Sequence, residues 1–171
     1  MKKTLLSLAI ASLAAGQSVC AAVEKVYNEP DSVYIFSYAH PEDEGRSGLK
    51  FAWSPDGDKW LSVSDGFAYL KCDFGRWGAE KRMIKPLLEK AEDGRWYCRW
   101  QLTPSGKVWG TSHSSDLLKW APQQYVNAEK PAVPRLVTAR QIVLDKDTLN
   151  GYMQKVPYAD IEQLICFAEH K

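Results

Sequence analysis

Ser54-Pro55-Asp56-Gly57-Asp58-Lys59-Trp60 returns as Ser114-Ser115-Asp116-Leu117-Leu118-Lys119-Trp120, with Ser, Asp, Lys and Trp each repeated at a separation of 60 residues. Each copy follows a short apolar or aromatic run, Leu49 to Trp53 in the first case and Lys107 to Thr111 in the second. A further aromatic run precedes each, Val33 to Tyr38 and Arg95 to Trp100. Runs of this length and composition, ending in Asp- and Gly-bearing turns, predict strands. The repeating object is therefore a sheet module closed by a tryptophan. Burial of that ring leads us to expect Trp60→Ala and Trp120→Ala to cost several kcal/mol each.

Outside this object, Lys2 and Lys3 precede an apolar run from Leu5 to Ala15, and Val19-Cys20-Ala21 offers small residues for cleavage. The run is shorter than the roughly 20 residues of a spanning helix. Residues 1–21 are thus expected to be an export signal. The protein is then periplasmic, cell-surface or extracellular, with no transmembrane segment in the mature chain. Lipid anchoring at Cys20 is the alternative. Without residues 1–21 the chain carries 20 basic against 21 acidic residues, a net charge of −1. That balance lacks the basic footprint of a nucleic-acid binder. Cys72, Cys98 and Cys166 are an odd number at spacings that match neither a metal knuckle nor a redox pair. Their disulfide pairing stays open, and Cys98 is expected to be a buried apolar group. No cofactor or metal motif is present: Glu42-Asp43-Glu44 does not have a calcium-loop spacing, and His40 and His113 are too few for zinc.

Between the two copies, Phe67 to Leu70 predicts an edge strand, Asp73 to Gly78 a Gly-rich aromatic loop, and Met83 to Leu88 a strand interrupted by Pro86, which suits a strand end or a sheet edge. Thr103 to Gly106 predicts the turn between the aromatic run and the second copy. Residues 22–127 form the expected β domain of repeated sheet modules. Residues 128–171 add a Pro-bearing linker, strands at Arg140 to Leu144 and Gly151 to Val156, and a helix from Pro157 to about Glu169. Ile161, Leu164, Ile165 and Ala168 give that helix one apolar face. The hairpin and helix are expected to cap the sheets or stand as a small separate unit. The fold class is all-β: antiparallel sheets in two repeated modules with a small C-terminal hairpin and helix.

Tyr34 to Tyr38, then Gly48 to Trp60, then Ser112 to Trp120 resemble glycoside hydrolase family 43, the arabinanase and xylosidase type, over roughly residues 31–126. The resemblance implies blades of a five-bladed β-propeller, so that residues 22–127 are expected to be a blade-like β domain and the whole fold partial β-propeller-like antiparallel sheets with two blade-like repeats. It also implies three catalytic carboxylates, of which one tunes the acid from an Arg-Asp-Pro motif. Here Met83 stands at the position of that aspartate, and methionine carries no charge. For the acid the resemblance offers Glu129, in Ala128-Glu129-Lys130-Pro131. A complete ring needs about twice this length.

Two functions follow from these residues. A secreted, non-catalytic glycan-binding module would stack sugar rings on aromatic side chains, with Trp77, Arg76, Phe74, Trp53 and Trp109 as ligand contacts and Trp100 as a further surface. A glycosidase acting on arabinose- or xylose-containing polysaccharides would instead bring two of Glu24, Glu29, Asp65, Asp73, Glu80 and Glu129 into one cleft. A structural or protein-interaction domain is a third reading. Carbohydrate is the expected partner, with a second copy or another chain completing the sheets as a further expectation.

Overall fold

The computed structural model describes residues 31–63, 67–127 and 133–169. The expected export segment, Glu24, Glu29, Asp65 and Glu129 lie outside them. The described residues form two antiparallel sheets and one C-terminal α-helix. The strands are β1 (Ser32–Tyr38), β2 (Lys50–Ser54), β3 (Leu61–Ser62), β4 (Ile84–Lys90), β5 (Trp96–Gln101), β6 (Val108–Ser114), β7 (Gln124–Asn127), β8 (Val137–Leu144) and β9 (Asp147–Pro157); α1 spans Glu162–Glu169. The five-stranded sheet has the order β3-β2-β1-β9-β8, and the four-stranded sheet β4-β5-β6-β7.

The sequence repeat is a structural one. In both copies the serine ends the second strand of a hairpin, and its hydroxyl accepts the N–H three residues on, from Gly57 at 2.8 Å and Leu117 at 2.9 Å. The aspartate then accepts two successive N–H groups, Asp58 and Lys59 in one copy, Leu118 and Lys119 in the other, all within 3.0 Å. These bonds require a left-handed residue at the fourth position, where Gly57 has φ +86° and Leu117 has φ +63°. Glycine adopts that conformation without steric cost. Leucine does so at a cost of about 1–2 kcal/mol, offset by complete burial of the Leu117 side chain in the main core.

Register extends the repeat by one strand. Tyr34 of β1 pairs with Ser54 of β2 and with Lys155 of β9; Trp96 of β5 pairs with Ser114 of β6 and with Lys90 of β4. In both rows the lysine ammonium lies over the aromatic ring, Lys155 over Tyr34 at 5.8 Å and Lys90 over Trp96 at 5.5 Å. Hence β9-β1-β2-β3 is laid out like β4-β5-β6-β7, but the first module takes its leading strand from the far end of the chain. The C-terminal hairpin is therefore part of the first sheet rather than a cap over it.

This arrangement explains why β1 does not alternate cleanly. Val33 and Ile35 enter the main core with Leu88, Trp96, Cys98 and Trp100, while Phe36 and Tyr38 join a second cluster with Ala52, Ile142, Leu144 and Leu149. Both faces of the strand are thus covered, which favours near-continuous apolar character. The β8–β9 hairpin turns through Asp145 and Lys146, both at positive φ, as a tight two-residue connection requires. At Gly151 a side chain would collide with the Phe36 ring and the Ser37 carbonyl. The helix expectation holds: Ile161, Leu164 and Ile165 are buried in the main core, with Ala168 packed beside it. A 3-10 turn at Tyr158–Asp160 delays the regular helix to Glu162.

Other expectations change. Phe67 to Leu70 is not a strand; it makes a single bridge, Leu70 to Leu49. Pro86 falls inside β4, but β4 is the edge strand of its sheet, where a proline is expected, and the register is irregular between Ile84 and Leu87. Trp60 and Trp120 are half-buried, Trp60 against Phe36 and Trp120 against the main core with its indole N–H donating to the Leu117 carbonyl at 3.2 Å. Cys98 is fully buried and burial pushes its thiol pKa well up, while Cys72 is also a buried thiol. No helix among the described residues is long and apolar enough to cross a membrane.

Half-burial lowers the expected cost of Trp60→Ala and Trp120→Ala to about 2 kcal/mol each, below that of a fully buried tryptophan. Unshifted denaturant midpoints would refute the turn-closing role. The turns also carry a pH signature. Hydrogen bonds from Lys59, Asp58 and Ser54 bring Asp56 from 3.8 to about 2. For Asp116, burial acts upward but is outweighed by bonds from Lys119, Leu118 and Ser114, so its pKa also falls below 3.8. A folded pKa below the unfolded value gives stability that is complete above about pH 4 and is lost as pH falls toward the folded pKa. Thermal midpoints should drop between pH 4 and 2, and the Asp56→Asn/Asp116→Asn double variant should show a shallower drop.

Candidate functional site

The loop between the two sheet modules presents the most exposed large aromatic among the described residues. Trp77 is 73% exposed, Phe74 is 37% exposed, and Arg76 lies on the surface between them. The loop is nonetheless held at both ends. Glu80, at the end of a single 3-10 turn (Gly78–Glu80), folds its carboxylate back so that Oε2 accepts the Arg76 and Trp77 N–H groups at 2.9 and 3.0 Å. Gly75 carries φ +76°, and a Cβ there would collide with that carboxylate.

The other anchor is Tyr125 on β7. Its hydroxyl lies 2.5 Å from Asp73 Oδ1 and 2.6 Å from Gln123 Oε1, and it accepts the Asp73 N–H at 3.3 Å. Gln123 in turn donates to the Lys71 carbonyl at 2.7 Å. Burial first, then the bond to Asp73, push the Tyr125 phenol pKa strongly up, so it stays a donor. The Phe74 and Tyr125 rings meet at 4.8 Å, and Tyr125 stands edge-on to the buried Trp100 at 6.2 Å.

Beside the loop is a depression of about 310 Å³ lined by Phe74, Ala79, Glu80, Arg82, Leu102, Thr103 and Val108. It offers an aromatic edge, an aliphatic floor, a guanidinium and a hydroxyl, the mixture that a small polar ring requires. Arg82 Nε donates to the Ala79 carbonyl at 2.9 Å, and one of its terminal nitrogens pairs with Glu44 at 2.8 Å. The guanidinium is thereby fixed in orientation.

The structure thus brings Phe74, Arg76 and Trp77 together and separates the other two sequence candidates from them. Trp109 is buried at 6% exposure with its indole N–H donated to Gly106 at 2.8 Å, and is a packing residue rather than a ligand surface. Trp53 is half-buried in the other sheet, packed against the main core and 6.2 Å from Tyr158. Trp100 is completely buried over Gly110, where a side chain would strike the indole. Sequence reading missed Tyr125 as the anchor. Glu80 had a legible signal, since a glutamate three residues after a helix-start residue is one half of a capping box.

Glycosidic cleavage requires two facing carboxylates. Among the described residues, the one carboxylate lining the loop depression is Glu80, which is committed to the backbone of its own loop, and Asp73 is bound to Tyr125. A second cavity of about 300 Å³ has one carboxylate among its described lining residues, Glu44, which pairs with Arg46 and Arg82. Met83, at the position expected for the tuning aspartate, is fully buried. In the charged turn, Asp43 accepts the Gly45 and Ser47 N–H groups at 2.9 and 2.7 Å, a turn-stabilising role. Comparison with protein-family models, with curated proteins and with solved structures finds no match to this chain. The resemblance to family 43 therefore rests on the quoted residues alone.

Removing the Glu80 carboxylate frees two loop N–H groups. Glu80→Ala should accelerate amide hydrogen exchange at Arg76 and Trp77 by about tenfold or more, while leaving β5 and β6 amides unchanged. Equal exchange in the two proteins would show that the loop is held by something else.

Proposed function

We propose that this chain is a non-catalytic, glycan-associated module that binds carbohydrate through the loop carrying Phe74, Arg76 and Trp77. The observation that carries this reading is a tryptophan 73% exposed on a loop pinned by Glu80 and Tyr125. An exposed indole has a cost in water that a stacked sugar face relieves, and a pre-ordered loop loses little entropy on binding. The adjoining depression supplies Arg82 and Thr103 for ring hydroxyls. The likeness of the Ser-x-Asp-x-x-Lys-Trp turns to blade turns of glycoside hydrolase family 43 supports the same substrate class, and the export signal read at residues 1–21 supports a location where polysaccharides occur.

The test is a screen of the purified protein against immobilised polysaccharides, with released reducing sugar assayed in the same wells. Binding without release is expected. Trp77→Ala should weaken it about tenfold or more, as stacking contacts of one to two kcal/mol imply, with an unchanged thermal midpoint because the indole packs on nothing deep. Retained affinity in Trp77→Ala would remove the loop from the site. Release of sugar would overturn the non-catalytic reading in favour of a hydrolase.

A further inference from the structure

The cavity of about 300 Å³ lies between the 39–45 turn and β4, with Glu44, Arg82, Lys85 and Asn150 among its lining residues. A shallower cleft of about 610 Å³ continues from it across the β8–β9 hairpin, with Arg140, Gln141 and Tyr152 on its walls. Lys85 and Asn150 belong to both.

Lys85 is the unusual residue at this junction. It lies in the irregular stretch of β4, where three steps from Ile84 to Leu87 face two steps from Gln101 to Arg99. One residue is therefore extra, and such a bulge re-aims a side chain. Its φ is +49°, a conformation that favours glycine and is strained for lysine. The following Pro86 is held in place, because the buried Ser37 hydroxyl donates to its carbonyl at 3.1 Å. Lys85 itself is exposed and has no ion pair or hydrogen bond among the described residues. Residues kept in costly conformations with no structural bond of their own cluster where a ligand is met.

The lining chemistry states what kind of ligand. Ala39, Pro41, Ile84 and Pro104 give an apolar wall for a ring face. Lys85 gives a positive charge with no ion-pair partner among the described residues, Glu44 being shared by Arg46 and Arg82. Tyr152 offers a hydroxyl partner, and Gln141 and Asn150, joined by a bond from Gln141 Nε2 to Asn150 Oδ1 at 3.2 Å, keep the Gln141 carbonyl and the Asn150 amide group for ring hydroxyls. We infer that this junction binds a sugar acid, a hydroxylated ring whose carboxylate pairs with the Lys85 ammonium, with the shallower cleft receiving the neighbouring unit of an acidic glycan. This site is distinct from the Trp77 loop; Arg82 alone lines both depressions.

The experiment is calorimetric titration of the purified protein with D-glucuronate, D-glucose and inorganic phosphate. Glucuronate should bind, glucose should bind at least about tenfold more weakly, and Lys85→Met should erase the difference. Trp77→Ala should leave glucuronate affinity unchanged, which separates this site from the loop. Lys85→Gly should raise the thermal midpoint by relieving the strained φ, while also losing glucuronate. Absence of glucuronate binding, equal binding of glucose, insensitivity to Lys85→Met or loss in Trp77→Ala would each overturn the assignment. Phosphate binding as tight as glucuronate would overturn the requirement for a ring, and an unraised midpoint in Lys85→Gly would overturn the strain on which the argument rests.

Discussion

Seven consecutive backbone pairings between β1 and β9, from Ser32–Pro157 to Tyr38–Gly151, hold this structure together. They place Gln154 where its amide donates to the Leu88 carbonyl of β4 at 3.1 Å, and Ser37 where it reaches Pro86. The two sheets are therefore joined by hydrogen bonds as well as by the apolar core. The same pairing brings the tip of the β8–β9 hairpin over Phe36 and Tyr38, so that β1 is buried on both faces. A strand in that position tolerates no register error, because a slip of one residue would exchange its two apolar sets.

The local parts of the fold were legible. Ser54 and Ser114, with their aspartates two residues on, announce turns through short-range side-chain chemistry that depends on nothing distant. The stripe Ile161, Leu164, Ile165 and Ala168 announces a helix with one buried face for the same reason. The equivalence of β9 with β4 was not legible. Lys90 and Lys155 occupy matching places in three dimensions, yet one precedes its hairpin in the chain and the other follows it by more than a hundred residues. A search for direct repeats has no means of seeing a permuted one. Segment 67–70 was misjudged because strand propensity says nothing about whether a neighbouring strand is available.

The site was legible in composition and not in burial. Trp77 and Trp109 are the same residue type, each followed by a glycine, and only the fold decides that one faces water and the other donates to the Gly106 carbonyl. Tyr125 acts through a partner 52 positions away. Lys85 gave no signal at all, since lysine is not a residue from which a left-handed backbone is expected; its conformation is imposed by the extra residue in β4 and the clamp on Pro86.

Closure of the first sheet by the last strand also fixes an order of events during synthesis. A nascent chain that has emerged only as far as β7 can complete the β4-β5-β6-β7 sheet, but the edge of β1 still waits for residues 147–157. Until they arrive, that edge presents unpaired N–H and C=O groups flanked by Phe36 and Tyr38, a surface open to pairing with other chains. The N-terminal module thus ripens last although it is made first, and the growing chain depends on its own tail to silence its stickiest strand.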